Sequence, residues 1–170
     1  MYTKLIGAIM VMTACGGFGF RLAAAHIREE RTLRRLTAIL DYMECELQYR
    51  LTPLPQLCRQ AAGEGRDALC KFFLSLTHEL EDQISPDVEC CVQNTLKHCK
   101  DIPNVTRTIL EQFGETLGRF DLQGQIKGLE AVRQECRRNL EIMNQNKEGR
   151  LRGYKTLGLC AGAALAILFL

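Results

Sequence analysis

Tryptophan is absent from this chain of 170 residues, and the other aromatic side chains are few. Four Tyr and seven Phe residues stand against a middle region crowded with Leu, Ala, Glu, Gln and Arg. Those residues are good helix formers, whereas strands favour aromatic and β-branched side chains. The composition therefore argues against a β-sandwich and predicts an all-α fold.

A strong excess of basic residues is missing as well. Apart from Lys4, every charged residue falls between Arg21 and Lys155, where 21 basic residues face 20 acidic ones and leave a formal charge of +1. A nucleic-acid-binding domain carries a marked basic excess. We therefore expect no nucleic-acid partner.

The motifs of common catalytic sites are also missing. The chain has no GxxxxGK[ST] phosphate loop, no HExxH and no GxSxG. The glycines at 16, 17 and 19 lie inside an apolar run, where small residues let helices approach closely instead of cradling phosphate. We expect no enzyme activity, no catalytic residues and no cofactor.

Nine cysteines are present, yet their pattern is neither a disulfide framework nor a zinc site. Two lie in the apolar ends and seven remain, an odd number, mostly where a helix favours a small apolar side chain. Cys91 and His98 are placed on one predicted helix face, but zinc needs four converging ligands and no CxxC pair exists. We expect reduced, packed cysteines in a cytosolic compartment, no metal, and solvated His26 and His78.

Uncharged apolar runs occupy both ends of the chain: Leu5 to Phe20 and Thr156 to Leu170. A membrane-spanning helix needs about 20 apolar residues, which Leu5 to Ala25 supplies if Arg21 snorkels, whereas the second run is short. The predicted organisation is a membrane anchor over residues 1–25, a cytosolic helical bundle over 26–153 and a second anchor over 154–170.

Two processed forms compete with a retained first anchor. Ala23 to Ala25 fits a signal-peptide cleavage site, but Arg21 just before it is unfavourable. Met12 to Cys15 resembles a lipoprotein box, but the apolar run continues five residues past Cys15. A retained anchor fits better. Basic residues flank both anchors on the inner side, so the middle is expected in the cytosol and both termini on the opposite side.

The second anchor contains a GxxxG pattern formed by Gly158 and Gly162. Such spacing favours close helix packing, between the two anchors or between molecules, although small residues also serve as filler. A homo-oligomer is therefore one expected arrangement.

The middle region predicts five to six helices packed as an antiparallel bundle. From Arg28 to Arg50 a heptad seam recurs, and Pro53 and Pro55 after Tyr49 break this helix. A short helix over Leu54 to Ala62 follows, then a third over Asp67 to Glu81 with an apolar stripe. Apolar periodicity continues in three further helices, the fourth started by Ser85 and Pro86. The seam of the first helix consists of Leu33, Leu36, Leu40, Met43 and Leu47.

The last helix is expected to start near Asp121 and to run on toward the second anchor. It carries Leu129, Val132 and Cys136 on one face, so it pairs antiparallel with the first helix as a stalk. The stretch before it, FGETLGRFD, predicts a corner between helices. Its residues either define the fold, with Arg119 paired to a carboxylate and Asp121 as a cap, or face a partner. The corner comprises Gln112, Gly114, Glu115, Gly118, Arg119 and Asp121.

Two motifs carry a resemblance to a known family: YRLTPLP at 49–55, and QFGETLGRFDL at 112–122 followed by Gln125 and Lys127. In this order, between two apolar ends, they closely resemble the stage III sporulation protein AB family of endospore-forming bacteria. The resemblance implies a channel component in the mother-cell inner membrane facing the forespore, with a bundle similar to type II secretion F-domains.

The same resemblance implies the partners and the role of the chain. These partners are the lipid bilayer and other channel proteins of the same operon, including a secretion-type ATPase and ring-forming membrane proteins. The implied role is a non-enzymatic platform or adaptor. The alternative is a generic membrane-tethered helical regulatory or chaperone protein, and a membrane-bound enzyme is disfavoured by the missing motifs.

Overall fold

The computed structural model describes the backbone of residues 2–82, 87–117 and 122–169, and the side chains of residues 24–82, 87–117 and 122–145. Six helices and no strand occupy these described backbone segments, which confirms the predicted all-helical class. They are α1 (Tyr2–Arg50), α2 (Leu54–Ala62), α3 (Ala68–Glu81), α4 (Val88–His98), α5 (Asn104–Thr116) and α6 (Leu122–Phe169).

The predicted anchors, residues 1–25 and 154–170, have nearly all of their side chains outside the described residues, and so do Gly158 and Gly162. Where the structure is described, no helix has a stretch long and apolar enough to cross a membrane. Both membrane anchors therefore stay predictions.

The chain divides into two compact units. One comprises Met1–Arg28 with Glu141–Leu170, and the other is Glu29–Leu140. The second unit, called the central unit below, contains the buried core and the side-chain contacts between helices that follow.

The helix boundaries agree well with the sequence pattern. α2 has the predicted bounds. Pro53, with φ −58°, directly precedes it, and the Pro53 carbonyl accepts a hydrogen bond from the Leu57 amide at 2.9 Å. Proline suits this position because the first turn of a helix needs no amide donor there. α4 begins at Val88 and Asp87 precedes it, so its start is later than predicted; Ser85 and Pro86 lie outside the described residues.

The predicted seam of α1 is fully buried, and Ile39 joins it. Phe73 packs edge-to-face against two other rings of the core. Its ring centroid lies 5.2 Å from that of Phe72 and 6.0 Å from that of Phe113 in α5. Such edge-to-face pairs add stability beyond the buried area. The fully buried large side chains are Phe72, Phe73, Phe113, Leu33, Leu36, Leu40, Met43, Leu57, Leu69, Leu76, Leu96 and Ile109.

Leu80, Val105 and Leu140, which the apolar periodicity places inward, are half-buried. Thr95, which the pattern of α4 also places inward, is buried, and so is Thr77, which the predicted face of α3 did not include. Both threonine hydroxyls donate to the carbonyl four residues earlier, each at 2.8 Å, so the helix backbone satisfies the buried polar group. The apolar pattern of α3 ranks Thr77 as polar and misses its burial.

Within the central unit, α1 and α6 pack antiparallel, as the stalk prediction expected. Glu44 lies beside Arg133, whereas Asp41, earlier in α1, reaches Arg137, later in α6. Thr37 of α1 lies near Cys136 of α6, where its side chain partly offsets the rise that burial causes in the pKa of that thiol. The residue numbers of the facing side chains therefore increase along α1 in the direction in which they decrease along α6, so the two helices are antiparallel.

Candidate functional site

The helix-break motif ends α1 in an unusual way. Leu51 has φ +53°, in the left-handed region that favours glycine. Glu46 holds the turn from the last turn of α1, since its carboxylate lies 3.5 Å from Arg50 and accepts a hydrogen bond from the Thr52 hydroxyl at 3.1 Å. A leucine in this conformation costs about 1–2 kcal/mol, which is local strain that a glycine would not carry.

Large apolar side chains are exposed at this turn and at the start of α6. Tyr49 is 76% exposed and Leu51 is 64% exposed, and Leu122 at the start of α6 is 39% exposed. We call these three residues the apolar tip. Pro53 is also exposed, and Pro55 stands in the first turn of α2, half-buried.

The register between α1 and α6 places these residues at one end of the central unit. Arg50 lies six residues beyond Glu44, and Lys127 lies six residues before Arg133. Because both helices rise about 1.5 Å per residue, the end of α1 and the first turns of α6 are at the same level. The helix-break motif and Leu122, the first residue of α6, therefore lie toward the same end of the central unit along the helix axes.

The predicted corner divides between an inner and an outer face. Gly114 is buried, and a Cβ built on it would lie 2.9 Å from the Val92 Cβ, so α5 and α4 are in close approach there. Gln112 and Glu115 are exposed on the same helix. Gly118, Arg119 and Asp121 lie outside the described residues, so the pairing of Arg119 and the capping by Asp121 stay predictions.

A second close approach lies beside the corner. A Cβ on Gly128 of α6 would overlap the Thr116 methyl group at the end of α5. The Thr116 hydroxyl donates to the Gln112 carbonyl at 2.9 Å, which fixes its side chain. Glycine at 128 therefore lets α6 pass close to the corner, a contact that the sequence pattern did not reveal.

Arg133 forms an electrostatic clamp between α1 and α6. Its Nη1 donates to Asp41 at 2.8 Å and lies 3.0 Å from Glu44, and Arg137 adds a 3.6 Å pair with Asp41. The Asp41 hydrogen bond, aided by the nearby carboxylates, raises the pKa of Arg133 despite its partial burial. We call Asp41, Glu44, Arg133 and Arg137 the clamp.

Sequence reasoning missed the clamp, although a signal was present. Asp41 and Glu44 are three residues apart and Arg133 and Arg137 four, the spacings that put two side chains on one helix side. Each pair borders an apolar seam. Glu29 was missed too; its carboxylate accepts a hydrogen bond from the Val105 amide at 3.2 Å and so caps α5 from α1.

The cysteines are placed largely as predicted. Cys58, Cys70, Cys91 and Cys136 are buried, and burial raises the pKa of Cys58 to about 12 and that of Cys136 to about 11. Cys45 and Cys90 are exposed. Buried thiols with raised pKa values are weak nucleophiles, so Cys58 and Cys136 act as small apolar packing residues.

Cys91 and His98, considered above as zinc ligands, are not placed to share an ion. Cys91 is buried, whereas His98 is exposed with Nδ1 2.9 Å from the Asn94 carbonyl oxygen. In the part of the chain that the structure describes, no group of three or more His, Cys, Asp or Glu side chains is arranged to hold an ion. His26 and His78 are exposed, as predicted.

Comparison with known proteins gives one consistent family. The family model described as stage III sporulation protein AB matches residues 4–170. Stage III sporulation protein AB of Bacillus subtilis (strain 168) is 28% identical over 170 residues, which cover 98% of this chain and 99% of the relative. A solved structure of stage III sporulation protein AB is similar with a TM-score of 0.64 and 25% identity, over 72% of this chain and 98% of that one. The match spans nearly the full chain and both motifs, and the chain belongs to the stage III sporulation protein AB family.

Proposed function

We propose that the chain is a non-enzymatic inner-membrane platform or adaptor of a sporulation channel between mother cell and forespore. Both terminal segments would lie in the mother-cell membrane facing the forespore, with the termini on the opposite side and the central bundle in the cytosol. The bundle would link a secretion-type ATPase to ring-forming membrane proteins. Membership of the sporulation family and the two apolar ends support this proposal.

The observation that carries the proposal is the antiparallel packing of α1 and α6. Because the two helices run in opposite directions, the residues that begin and end the central unit, Glu29 and Leu140, lie toward the same end of it. The apolar tip lies toward the other end. A chain that enters and leaves on one side and exposes apolar side chains on the other is suited to bridge a membrane and a cytosolic partner.

The apolar tip is the surface we propose for the partner. Exposed tyrosine side chains are common anchors at protein interfaces, where they fill pockets on the partner, and the two leucines add apolar contact area around Tyr49. Gln112 and Glu115 of the corner are exposed on α5 and offer polar contacts at the rim. The buried Gly114 belongs to the fold instead, so the corner serves both structure and binding.

A capture experiment tests this surface. Tyr49→Ser combined with Leu51→Ser removes two exposed apolar groups, and Leu74→Ser serves as the matched control because Leu74 is 42% exposed elsewhere, on α3. We expect the double variant to keep its melting temperature and to lose co-purification of the operon's ATPase from sporulating cells, while the control retains it. Normal capture by the double variant would contradict the proposed surface.

The same experiment separates the platform from the alternative role. A platform co-purifies with the ATPase and the ring proteins in fixed proportion, whereas a generic membrane-tethered chaperone or regulator has no fixed place among them. Absence of all channel proteins from the material captured with the unaltered chain would favour the chaperone or regulator.

A further inference from the structure

The direction that the chain takes after α1 depends on one residue. α1 is helical up to Arg50, and Pro53 disfavours a helical conformation at the residue before it, Thr52. Leu51 lies between these two and has φ +53°. The backbone conformation of Leu51 therefore determines where α1 ends and α2 begins, and a leucine seldom adopts a left-handed conformation by itself.

A hydrogen bond closes over Leu51. The Thr52 hydroxyl donates to the Glu46 carboxylate at 3.1 Å, which joins the last turn of α1 to the residue that follows Leu51. In a continuous helix, residues 46 and 52 would be about 9 Å apart along the axis and about 120° apart around it, too far for this bond. The bond is therefore incompatible with a right-handed helical Leu51. We call Glu46 and Thr52 the latch.

The latch is shielded, although the turn itself is exposed. The Glu46 side chain is 12% exposed, whereas Arg50, which lies 3.5 Å from the same carboxylate, is 74% exposed. A hydrogen bond to a shielded, ionised carboxylate is stronger than one between neutral groups, and an exposed ion pair contributes little. The Thr52 bond rather than the Arg50 pair therefore holds the turn.

We propose that the latch is a positioning device for partner binding: it holds Tyr49 and Leu51 in the arrangement that the partner recognises. This rests on the partner surface proposed above, and it goes beyond that surface by assigning its shape to Glu46 and Thr52. A surface that already has its binding conformation loses less conformational freedom on association. The strain at Leu51 is then a property of the binding surface and not a defect of the fold.

The size of the expected effect follows from the strain. Without the latch, Leu51 relaxes to its ordinary backbone conformations, and only a fraction of the chains keeps the binding arrangement. The strain given above for a left-handed leucine corresponds to a fraction of about 3–20%, and apparent affinity falls in proportion to that fraction. Loss of the latch should therefore weaken partner binding by about 5- to 30-fold.

Substitutions at position 52 test the proposal in the full chain, solubilised in detergent and titrated with the purified ATPase. Thr52→Val keeps the shape of the side chain and removes its hydroxyl, so half-saturation should need about 5- to 30-fold more ATPase. Thr52→Ser retains the hydroxyl and should bind like the unaltered chain. Thr108→Val is the matched control, because it removes an exposed hydroxyl on α5 that donates to the Asn104 carbonyl.

Limited digestion with trypsin examines the turn without any partner. Trypsin cleaves after Arg50, the residue that precedes Leu51, and cleavage requires local opening of the turn. We expect Thr52→Val to raise the initial rate of cleavage after Arg50, and Thr52→Ser and Thr108→Val to leave it unchanged. The melting temperature of Thr52→Val should stay close to that of the unaltered chain, because relief of the strain offsets the lost hydrogen bond.

Normal binding by Thr52→Val would overturn the proposal, because the apolar tip would then keep its shape without the latch. Weaker binding together with a markedly lower melting temperature would also overturn it, since the latch would then stabilise the whole fold. An unchanged rate of cleavage after Arg50 in Thr52→Val would refute the latch even without a partner. Failure of the unaltered chain to bind the ATPase would instead refute the proposed partner surface.

Discussion

The short helices α2 to α5 and the long helix α6 are held in the central unit by different chemistry. The short helices pack through shape: three phenylalanine rings meet edge-on, and Gly114 lets α5 approach Val92 of α4. α6 buries fewer side chains, Leu129, Val132 and Cys136, and relies on the clamp beside them. The short-helix cluster therefore depends mainly on apolar shape, whereas the contact between α1 and α6 combines a small apolar face with charged pairs.

The largest effect is expected from a charge in the shared core. Phe72→Asp or Leu40→Asp places a carboxylate at a fully buried site and should lower the free energy of unfolding by several kcal/mol, enough to unfold the chain. Leu74→Asp on the exposed side of α3 is the matched control and should be nearly neutral. Circular dichroism melting measures the difference; full helicity in Phe72→Asp would mean that the cluster is not the stable region.

A smaller effect is expected where the cluster depends on shape. Gly114→Val forces side-chain atoms into Val92 and should lower the free energy of unfolding by about 1–3 kcal/mol. Val92→Ala in the same chain should recover part of that loss by removing the two methyl groups 3.1 Å away. Glu115→Val, on the exposed face of α5, is the control, and equal melting of the two valine variants would show that the helices can move apart freely.

Alkaline pH should destabilise each of the two regions through one buried thiol, Cys58 in α2 and Cys136 in α6. The pKa of Cys58 is raised from 9.0 to about 12 in the fold, and that of Cys136 to about 11, both by burial. A raised thiol pKa adds stability below pH 9 that is lost as the pH rises, at about 1.4 kcal/mol per pH unit and thiol.

Chemical denaturation between about pH 8 and pH 12 measures this loss. We expect Cys58→Ala and Cys136→Ala each to flatten the fall, and Cys45→Ala, at an exposed site, to leave it unchanged. Above pH 11 the remaining fall should come from Cys58. A slope that no cysteine variant alters would assign the loss to other groups.

The smallest effect concerns the joint between α1 and α2. Leu51→Gly relieves the left-handed strain and should raise the free energy of unfolding by about 0.5–1 kcal/mol, because glycine's greater freedom in the unfolded chain offsets part of the gain. Leu51→Ala keeps the strain and should give no gain. Both variants should weaken capture of the ATPase, so a more stable but less active Leu51→Gly would separate binding from folding.

The sequence predicted the elements that depend on periodicity and on proline. The α1 seam, the bounds of α2 and the apolar stripe of α3 follow from apolar spacing and from the helix-stopping proline at position 53. It did not reveal contacts that depend on three-dimensional register: the clamp, the approach of Gly128 to Thr116, and the Glu29 cap on α5. Those contacts join residues more than ten positions apart, and local spacing carries no information about which of them meet.

Only part of the candidate site could be predicted, because sequence motifs single out residues but do not give their contacts or backbone angles. The two motifs singled out residues that the structure exposes, Tyr49, Gln112 and Glu115, and a glycine that it buries, Gly114. The positive φ of Leu51 could not be predicted, because the spacing of the residues around it carries no signal for a left-handed backbone conformation. Cys58 and Cys70, which would be natural thiols for a labelling experiment on topology, are buried and would not react even if accessible from outside.

The most direct test of the account is the side of the membrane on which the central unit lies. The exposed thiols of Cys45 and Cys90 suit a membrane-impermeant maleimide, with the modified peptides identified by mass. In intact cells that produce the full chain we expect neither thiol to be modified, and in permeabilised cells we expect both to be. Modification of Cys45 and Cys90 in intact cells would contradict a cytosolic bundle tethered at both ends.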